Sequence, residues 1–246
     1  MLQKNQPLQK NNIQTIYEDE NIVGVNKPAG LLTIPDRLHS EKSLKETLIE
    51  KYGAIYTVHR IDKDTSGLVL FAKNENIHKY LSQLFESRQV QKFYLGIVLG
   101  MPQSSTGIID APIAENPIHK GTMYIHRKGK PSQTSYQVLE ANRHFSLVQF
   151  ELHTGRTHQI RVHAKEIGHP LACDAIYGNA LPVYLSSIKK KYKLSKNEEA
   201  ETPIINRLAL HAAKLNFKLQ NGKQIQLETP VPKEFRALMQ QLKKLY

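Results

Sequence analysis

His59-Arg60-Ile61-Asp62-Lys63-Asp64-Thr65-Ser66-Gly67 is a charged segment set between two apolar runs, Ile55-Tyr56-Thr57-Val58 and Leu68-Val69-Leu70-Phe71-Ala72. Such β-branched and apolar runs predict strands, and Gly67 supplies the backbone freedom to turn between them. In open water Arg60 and Lys63 would do little for Asp62. In a cleft, an adjacent cation keeps a carboxylate ionised and aimed, which makes it a usable nucleophile or base. The segment therefore predicts a strand, a loop that carries chemistry, and a second strand.

Working outward, Ile13, Thr15 and Tyr17 alternate, and Ile22-Val23-Gly24-Val25 runs into Asn26-Lys27-Pro28-Ala29-Gly30, which predicts paired strands and a turn. Ser43 with Glu46 forms a capping box for a helix over Leu44 to Tyr52, closed by Gly53. Asn74 caps a second helix on which Ile77, Leu81, Leu84 and Phe85 share one face. Strands are expected over Phe93 to Leu99, Ile108 to Ile113, Ser135 to Leu139 and Phe145 to Leu152. A third helix is expected from Thr157 to Gly168. Leu215, Phe217 and Leu219 face Ile225 and Leu227 across Asn221-Gly222, a hairpin signal, and an amphipathic helix starts near Pro232. Strands outnumber helices and do not alternate with them regularly, so the expected fold is α+β with a mostly antiparallel sheet and flanking helices.

The 246 residues suffice for a buried core without disulfides, and the single cysteine, Cys173, cannot form one internally. Residues 1–12 are polar and read as a flexible leader rather than a secretory signal, and no run reaches membrane-spanning length. A cytoplasmic, monomeric protein is the expectation. Lysine and arginine exceed the acids by 34 to 22, a net charge of +12, which favours a polyanionic partner. Ser186 to Ala200, with Lys189, Lys190, Lys191, Lys193 and Lys196, reads as an inserted surface loop, either a solvated charge run or an RNA contact.

Taken together, several motifs resemble the RluA-like pseudouridine synthases. They are the Asp62 segment, Asn26-Lys27-Pro28-Ala29-Gly30-Leu31-Leu32, Lys92-Phe93-Tyr94-Leu95-Gly96 and Thr154-Gly155-Arg156-Thr157-His158-Gln159-Ile160-Arg161-Val162-His163. The chain continues in the same order through Gly168-His169-Pro170-Leu171, Asp174-Ala175-Ile176-Tyr177-Gly178 and Leu210-His211-Ala212, so the resemblance covers roughly residues 13 to 240. It implies a long bent mixed sheet with a central catalytic cleft, residues 13–246 forming the catalytic domain without an S4-type module. It also implies isomerisation of specific uridines in ribosomal or transfer RNA, with no cofactor and no metal.

The resemblance assigns Asp62 as the catalytic carboxylate, acting either on C1′ or on the 2′ proton. It places Tyr94 against the target base, pairs Arg161 with Asp62, makes Ile160 an apolar wall, and has Arg60 take the place of the extruded base. Residues Gly155 to His158 offer backbone amides, with Arg156, for a phosphate. The competing assignments are a loop ion pair for Arg60, a core aromatic for Tyr94 and a helix cap for Thr157. Asp64 is read as making loop hydrogen bonds with Thr65 or Ser66. His59 and His211 are read as hydrogen-bonded scaffold groups, and the five-residue spacing of His153, His158 and His163 does not bring them together as a zinc site. Two other functions fit parts of the pattern. One is a noncatalytic RNA-binding protein on a synthase scaffold. The other is a metal-dependent phosphotransferase using Asp62 and Asp64, which would require a doubly wound parallel sheet.

Overall fold

A computed structural model describes residues 13–189, 192–194 and 200–244. The leader expected over residues 1–12 lies outside the described residues, as do Lys190, Lys191 and Lys196 of the basic loop. The first part of the chain forms β1 (Gln14–Glu18), β2 (Ile22–Lys27), α1 (Leu44–Tyr52), β3 (Tyr56–Thr57), β4 (Ser66–Ala72) and α2 (Glu75–Glu86). The middle forms β5 (Gln91–Leu99), β6 (Thr106–Asp110), β7 (Ile113–Glu115), β8 (Met123–Ile125), β9 (Gln133–Ala141) and β10 (Phe145–Leu152). It ends with α3 (Gln159–Glu166), β11 (Leu210–Lys218), β12 (Gln224–Glu228) and α4 (Lys233–Lys243).

Ten strands build one sheet in the order β1-β2-β4-β11-β5-β10-β9-β6, with β12 beside β11 and β3 beside β4, while β7 and β8 form a separate hairpin. The pairings are antiparallel except that of β4 with β11. This is the α+β, mostly antiparallel architecture expected from the sequence. It lacks the crossover pattern of a doubly wound phosphotransferase.

β4 is buried along its whole length because both faces are covered. Val69 and Phe71 pack with α1, Ile61, Tyr94 and Ile160, while Leu68 and Leu70 pack with Leu81 and Leu84 of α2. β5 divides its side chains in the same way. Tyr94 and Val98 join the first cluster, and Leu95 and Ile97 join Phe235, Leu238 and Leu242 of α4. The strand alternation thus sends Tyr94 to the face that carries the Asp62 loop.

Local signals are realised where short-range physics governs. Ser43 and Glu46 make the reciprocal capping box of α1, Asn74 accepts the Ile77 N–H at the start of α2, and Leu215 and Phe217 pair with Leu227 and Ile225. Four expectations are corrected. Gly67 does not turn the chain but lies inside β4 at φ +114°, where a Cβ would stand 2.2 Å from the Ala212 carbonyl oxygen, so glycine there admits β11 alongside. The run Ile108 to Ile113 splits into β6 and β7 around Pro112, which has no N–H to donate. α3 starts at Gln159 after His158, and Thr157 is not its cap. Ile188, within the segment read as a surface insertion, is buried with α4 residues.

Candidate active site

The loop between β3 and β4 is held by its backbone on both sides of Asp62. The Thr33 hydroxyl donates to the Ile61 carbonyl at 2.9 Å and accepts the Ile61 N–H at 3.3 Å. Beyond Asp62, the Lys63 carbonyl accepts the Gly30 N–H and the Lys27 ammonium, each at 2.9 Å. Ile61 anchors the loop in the core. With the main chain at positions 61 and 63 committed to the turn that follows β2, the Asp62 side chain is left to the cleft.

Lys27 is the unexpected part of this arrangement. It closes an apolar strand, is wholly buried, and gives its three N–H bonds to the carbonyls of Pro28, Leu31 and Lys63 at 3.0, 2.6 and 2.9 Å. Burial draws its pKa down to about 7, opposed by the nearby charges of Asp64 and Asp62. It acts as a peg between the post-β2 turn and the Asp62 loop.

The cleft, of about 560 Å³, is bounded by the Asp62 loop, Tyr94, Ile160 and Arg161, a size suited to one nucleoside. The Asp62 carboxylate makes no hydrogen bond with the described residues, and the side chain is 29% exposed. One oxygen faces Arg161 Nη1 and His158 Nε2, each at 3.9 Å. Arg161 therefore lies beside Asp62, as the resemblance implies, but its bidentate partner is Asp174. Arg161 Nε and Nη2 donate to the two Asp174 oxygens at 2.8 Å each. Asp174 is fully buried and also accepts the backbone N–H groups of Ile176 and Tyr177. Burial alone would raise its pKa, yet the Arg161 hydrogen bonds and charge and these two N–H groups outweigh it, so Asp174 stays ionised. The pair fixes a guanidinium fork whose third nitrogen is turned to Asp62.

Tyr94 lines the cleft in the buried layer behind Asp62. Burial first, and the Asp62 charge second, push its hydroxyl far above the usual phenol range. It is a neutral phenol at physiological pH, suited to stacking on a base and poor at accepting a proton. Ile160, also buried, forms the apolar wall. Arg60 is exposed at the mouth and makes no ion pair or hydrogen bond among the described residues, so the loop ion pair is not formed. Arg88, Lys92 and Arg156 also line the cleft, with Glu86 among them, an excess of cations that suits a phosphate backbone.

The turn before α3 differs from a free-amide nest. The Gln159 carboxamide oxygen takes the Arg156 N–H at 3.0 Å and the Thr154 hydroxyl at 2.7 Å, and its Nε2 donates to the Gln133 carbonyl and the Thr134 hydroxyl. Arg156 Nε reaches the Pro131 carbonyl at 3.3 Å, leaving the rest of its guanidinium at the rim. Asp64 is exposed, and its expected partners are otherwise disposed: the Ser66 hydroxyl pairs with His211 Nδ1 at 2.9 Å and Thr65 Oγ1 has no partner.

His59 and His211 are scaffold groups. His59 Nε2 accepts the Leu70 N–H while its ring stacks on Phe85, and His211 bridges Ser66 and Thr229. Burial, reinforced by Lys92 and Arg207 respectively, lowers them to about 3 and about 4. His163 is tied to Thr134 and the Ala111 carbonyl, and His153 to Ser135, so only His158 reaches the site. Sequence reasoning gave no side-chain role to Lys27, His158, Asp174 or Tyr177. The available signal was an ionisable residue ending an apolar run, as in Val23-Gly24-Val25-Asn26-Lys27 and Leu171-Ala172-Cys173-Asp174.

The chain is 35% identical over 241 residues to the ribosomal large subunit pseudouridine synthase D of Nitrosomonas europaea, covering 95% of this chain and 66% of that protein. It is 36% identical over 211 residues to the dual-specificity RNA pseudouridine synthase RluA of Vibrio vulnificus, covering 83% and 77% respectively. The chain thus spans about two thirds to three quarters of the length of these relatives. The solved structure of human RNA pseudouridylate synthase domain containing 1 superposes with a TM-score of 0.70 at 28% identity, over 92% of this chain and 86% of that one. The family model described as RNA pseudouridylate synthase matches residues 21–166, which carry Asp62, Tyr94 and Arg161, and the chain belongs to that family.

Proposed function

We propose that the chain isomerises specific uridines to pseudouridine in a structured ribosomal or transfer RNA, with Asp62 as the reacting carboxylate, and that it acts as a cytoplasmic monomer. The observation that carries the reading is a cleft carboxylate without a hydrogen bond, placed between a buried guanidinium and an imidazole over a tyrosine floor. Isomerisation breaks the ribose C1′–N1 bond, turns the base and joins C5 to C1′. The C5 proton is lost and N1 ends protonated, so no atom is gained and no oxidant or cofactor is required. A carboxylate in a narrow site can attack C1′ or take the 2′ proton, and Arg161 stands 3.9 Å from it as a fixed positive charge that does not compete for protons. Tyr94 and Ile160 supply an aromatic face and an apolar wall for a flipped base. The single buried cysteine, Cys173, is consistent with a reducing compartment.

The test is a pseudouridine map of total RNA from cells with and without the gene. At least one uridine should lose its modification on deletion and regain it with the wild-type gene but not with Asp62→Asn. Identical maps in all strains would overturn the reading.

Arg60, exposed and unpaired at the mouth, is free to enter the space that an extruded base leaves. Arg60→Ala should slow modification of a paired target by roughly tenfold or more, and much less when the uridine is already bulged, because extrusion costs a few kcal/mol only where a stack and pair must be broken. Equal losses on paired and bulged RNAs would remove this role from Arg60.

A further inference from the structure

His158 is the second group that faces Asp62, and its hydrogen bonds determine which of its nitrogens carries the proton. Nδ1 lies 2.7 Å from the Tyr177 hydroxyl, and that same oxygen accepts the Met123 N–H at 2.8 Å. A phenol oxygen that accepts from a backbone N–H has its own proton to place, and Nδ1 is the acceptor beside it. Nδ1 therefore accepts, and the imidazole proton sits on Nε2, the nitrogen 3.9 Å from Asp62 Oδ2. The backbone commits the ring to this place. His158 is left-handed at φ 56°, ψ 20°, caps α3 without a side-chain hydrogen bond to it, and meets the Tyr177 ring edge-on.

We infer that His158 is a positioning residue for Asp62: with its tautomer set by Tyr177, it presents an Nε2–H to the carboxylate and, together with Arg161 Nη1, aims it at the ribose. The inference rests on the reading of Asp62 as the reacting carboxylate. The groups around the ring are Asp62 and Asp64 from the catalytic loop, Arg161 from α3, and Asp174 and Tyr177 from the segment after it. Burial, with Arg161, lowers the His158 pKa against the pull of Asp62, Asp174 and Asp64, so the ring stays neutral and its Nδ1 remains an acceptor. The 3.9 Å approach is longer than a hydrogen bond and shortens to one when substrate expels water from the cleft.

Two measurements test this, one of them independent of turnover. In protein labelled with ¹⁵N-histidine, the His158 resonances, identified by their loss in His158→Gln, should report the Nε2–H tautomer, and Tyr177→Phe should mix the tautomers. A His158 protonated on Nδ1 would overturn the inference whatever the activity. In single-turnover reactions at saturating RNA, His158→Ala should slow the chemical step by about 10- to 100-fold with RNA affinity within about twofold of wild type. His158→Gln, whose amide nitrogen reaches the Nε2 position, should recover most of that loss. His158→Asn, which reaches only the Nδ1 position, should not. A His158→Ala rate within about twofold of wild type also overturns the inference. A fully active Asp62→Asn would instead overturn the reading on which it rests.

Discussion

Asp62→Asn loses pseudouridine formation by roughly 10⁴-fold or more, with little change in melting temperature or RNA affinity. The two halves of this expectation come from separate features. The loop's shape depends on the carbonyls at positions 61 and 63, on Thr33 and on Lys27, none of which is hydrogen-bonded to the Asp62 side chain. Exchanging a carboxylate oxygen for an amide therefore leaves the scaffold alone. The charge lost is not the one that holds Arg161, because Asp174 keeps both of its hydrogen bonds. The carboxamide, however, is neither nucleophile nor base at neutral pH. Single-turnover rates on an RNA identified by mapping, with melting curves and filter binding beside them, decide the matter. Turnover within tenfold of wild type would reject Asp62 as the reacting group. Asp64→Asn, at an exposed side chain outside the cleft lining, should stay close to wild type.

Lys27→Met should destabilise the fold by on the order of 3 kcal/mol and lower turnover as well, since each buried carbonyl that loses its donor costs about 1–3 kcal/mol and the lysine's own desolvation is relieved in part exchange. Methionine matches the length of the stem but leaves the Pro28 and Leu31 carbonyls without the ammonium and the Lys63 carbonyl with only the Gly30 N–H. The pH dependence distinguishes this from simple repacking. A lysine lowered to about 7 in the folded chain binds its proton less readily there than in the unfolded chain. The unfolded state consequently holds more protons between about pH 7 and the ordinary lysine range, and wild-type stability rises with pH through that window relative to Lys27→Met. Below about pH 7 both states are protonated and the difference flattens. Urea titrations of both proteins from pH 6 to 10 measure it, and parallel curves would show that Lys27 is not desolvated as described.

What could be read from the sequence was whatever depends on neighbours along the chain. The Ser43–Glu46 box, the Asn74 cap, the faces of α2 and α4 and the Asn221-Gly222 hairpin are each decided within a few residues. The motifs that resemble the synthases brought Asp62, Tyr94, Ile160 and Arg161 to one cleft. What could not be read depends on partners far apart. Gly67 looked like a turn glycine because nothing local announces that Ala212 will lie against it. Arg161 was assigned to Asp62 by the resemblance, and nothing beside it in the chain announces its closer partner, Asp174, from the segment after α3. Lys27 was read only as part of the turn after a strand, since its acceptors include a carbonyl 36 residues away. His158 was set aside on spacing, although a tyrosine 19 residues later determines its proton.

The placement of β11 has a consequence for the order in which the molecule comes into being. Asp62 precedes β4 and Tyr94 lies on β5, yet these two strands are not neighbours: Leu210–Lys218, made well after both, fills the gap between them and bonds to both. A nascent chain carries every residue named in the cleft long before it carries the strand that sets their spacing. The cleft is therefore assembled only after β11 has been made, so a growing chain that stops short of Leu210–Lys218 has the Asp62 carboxylate without the strand that spaces it from Tyr94.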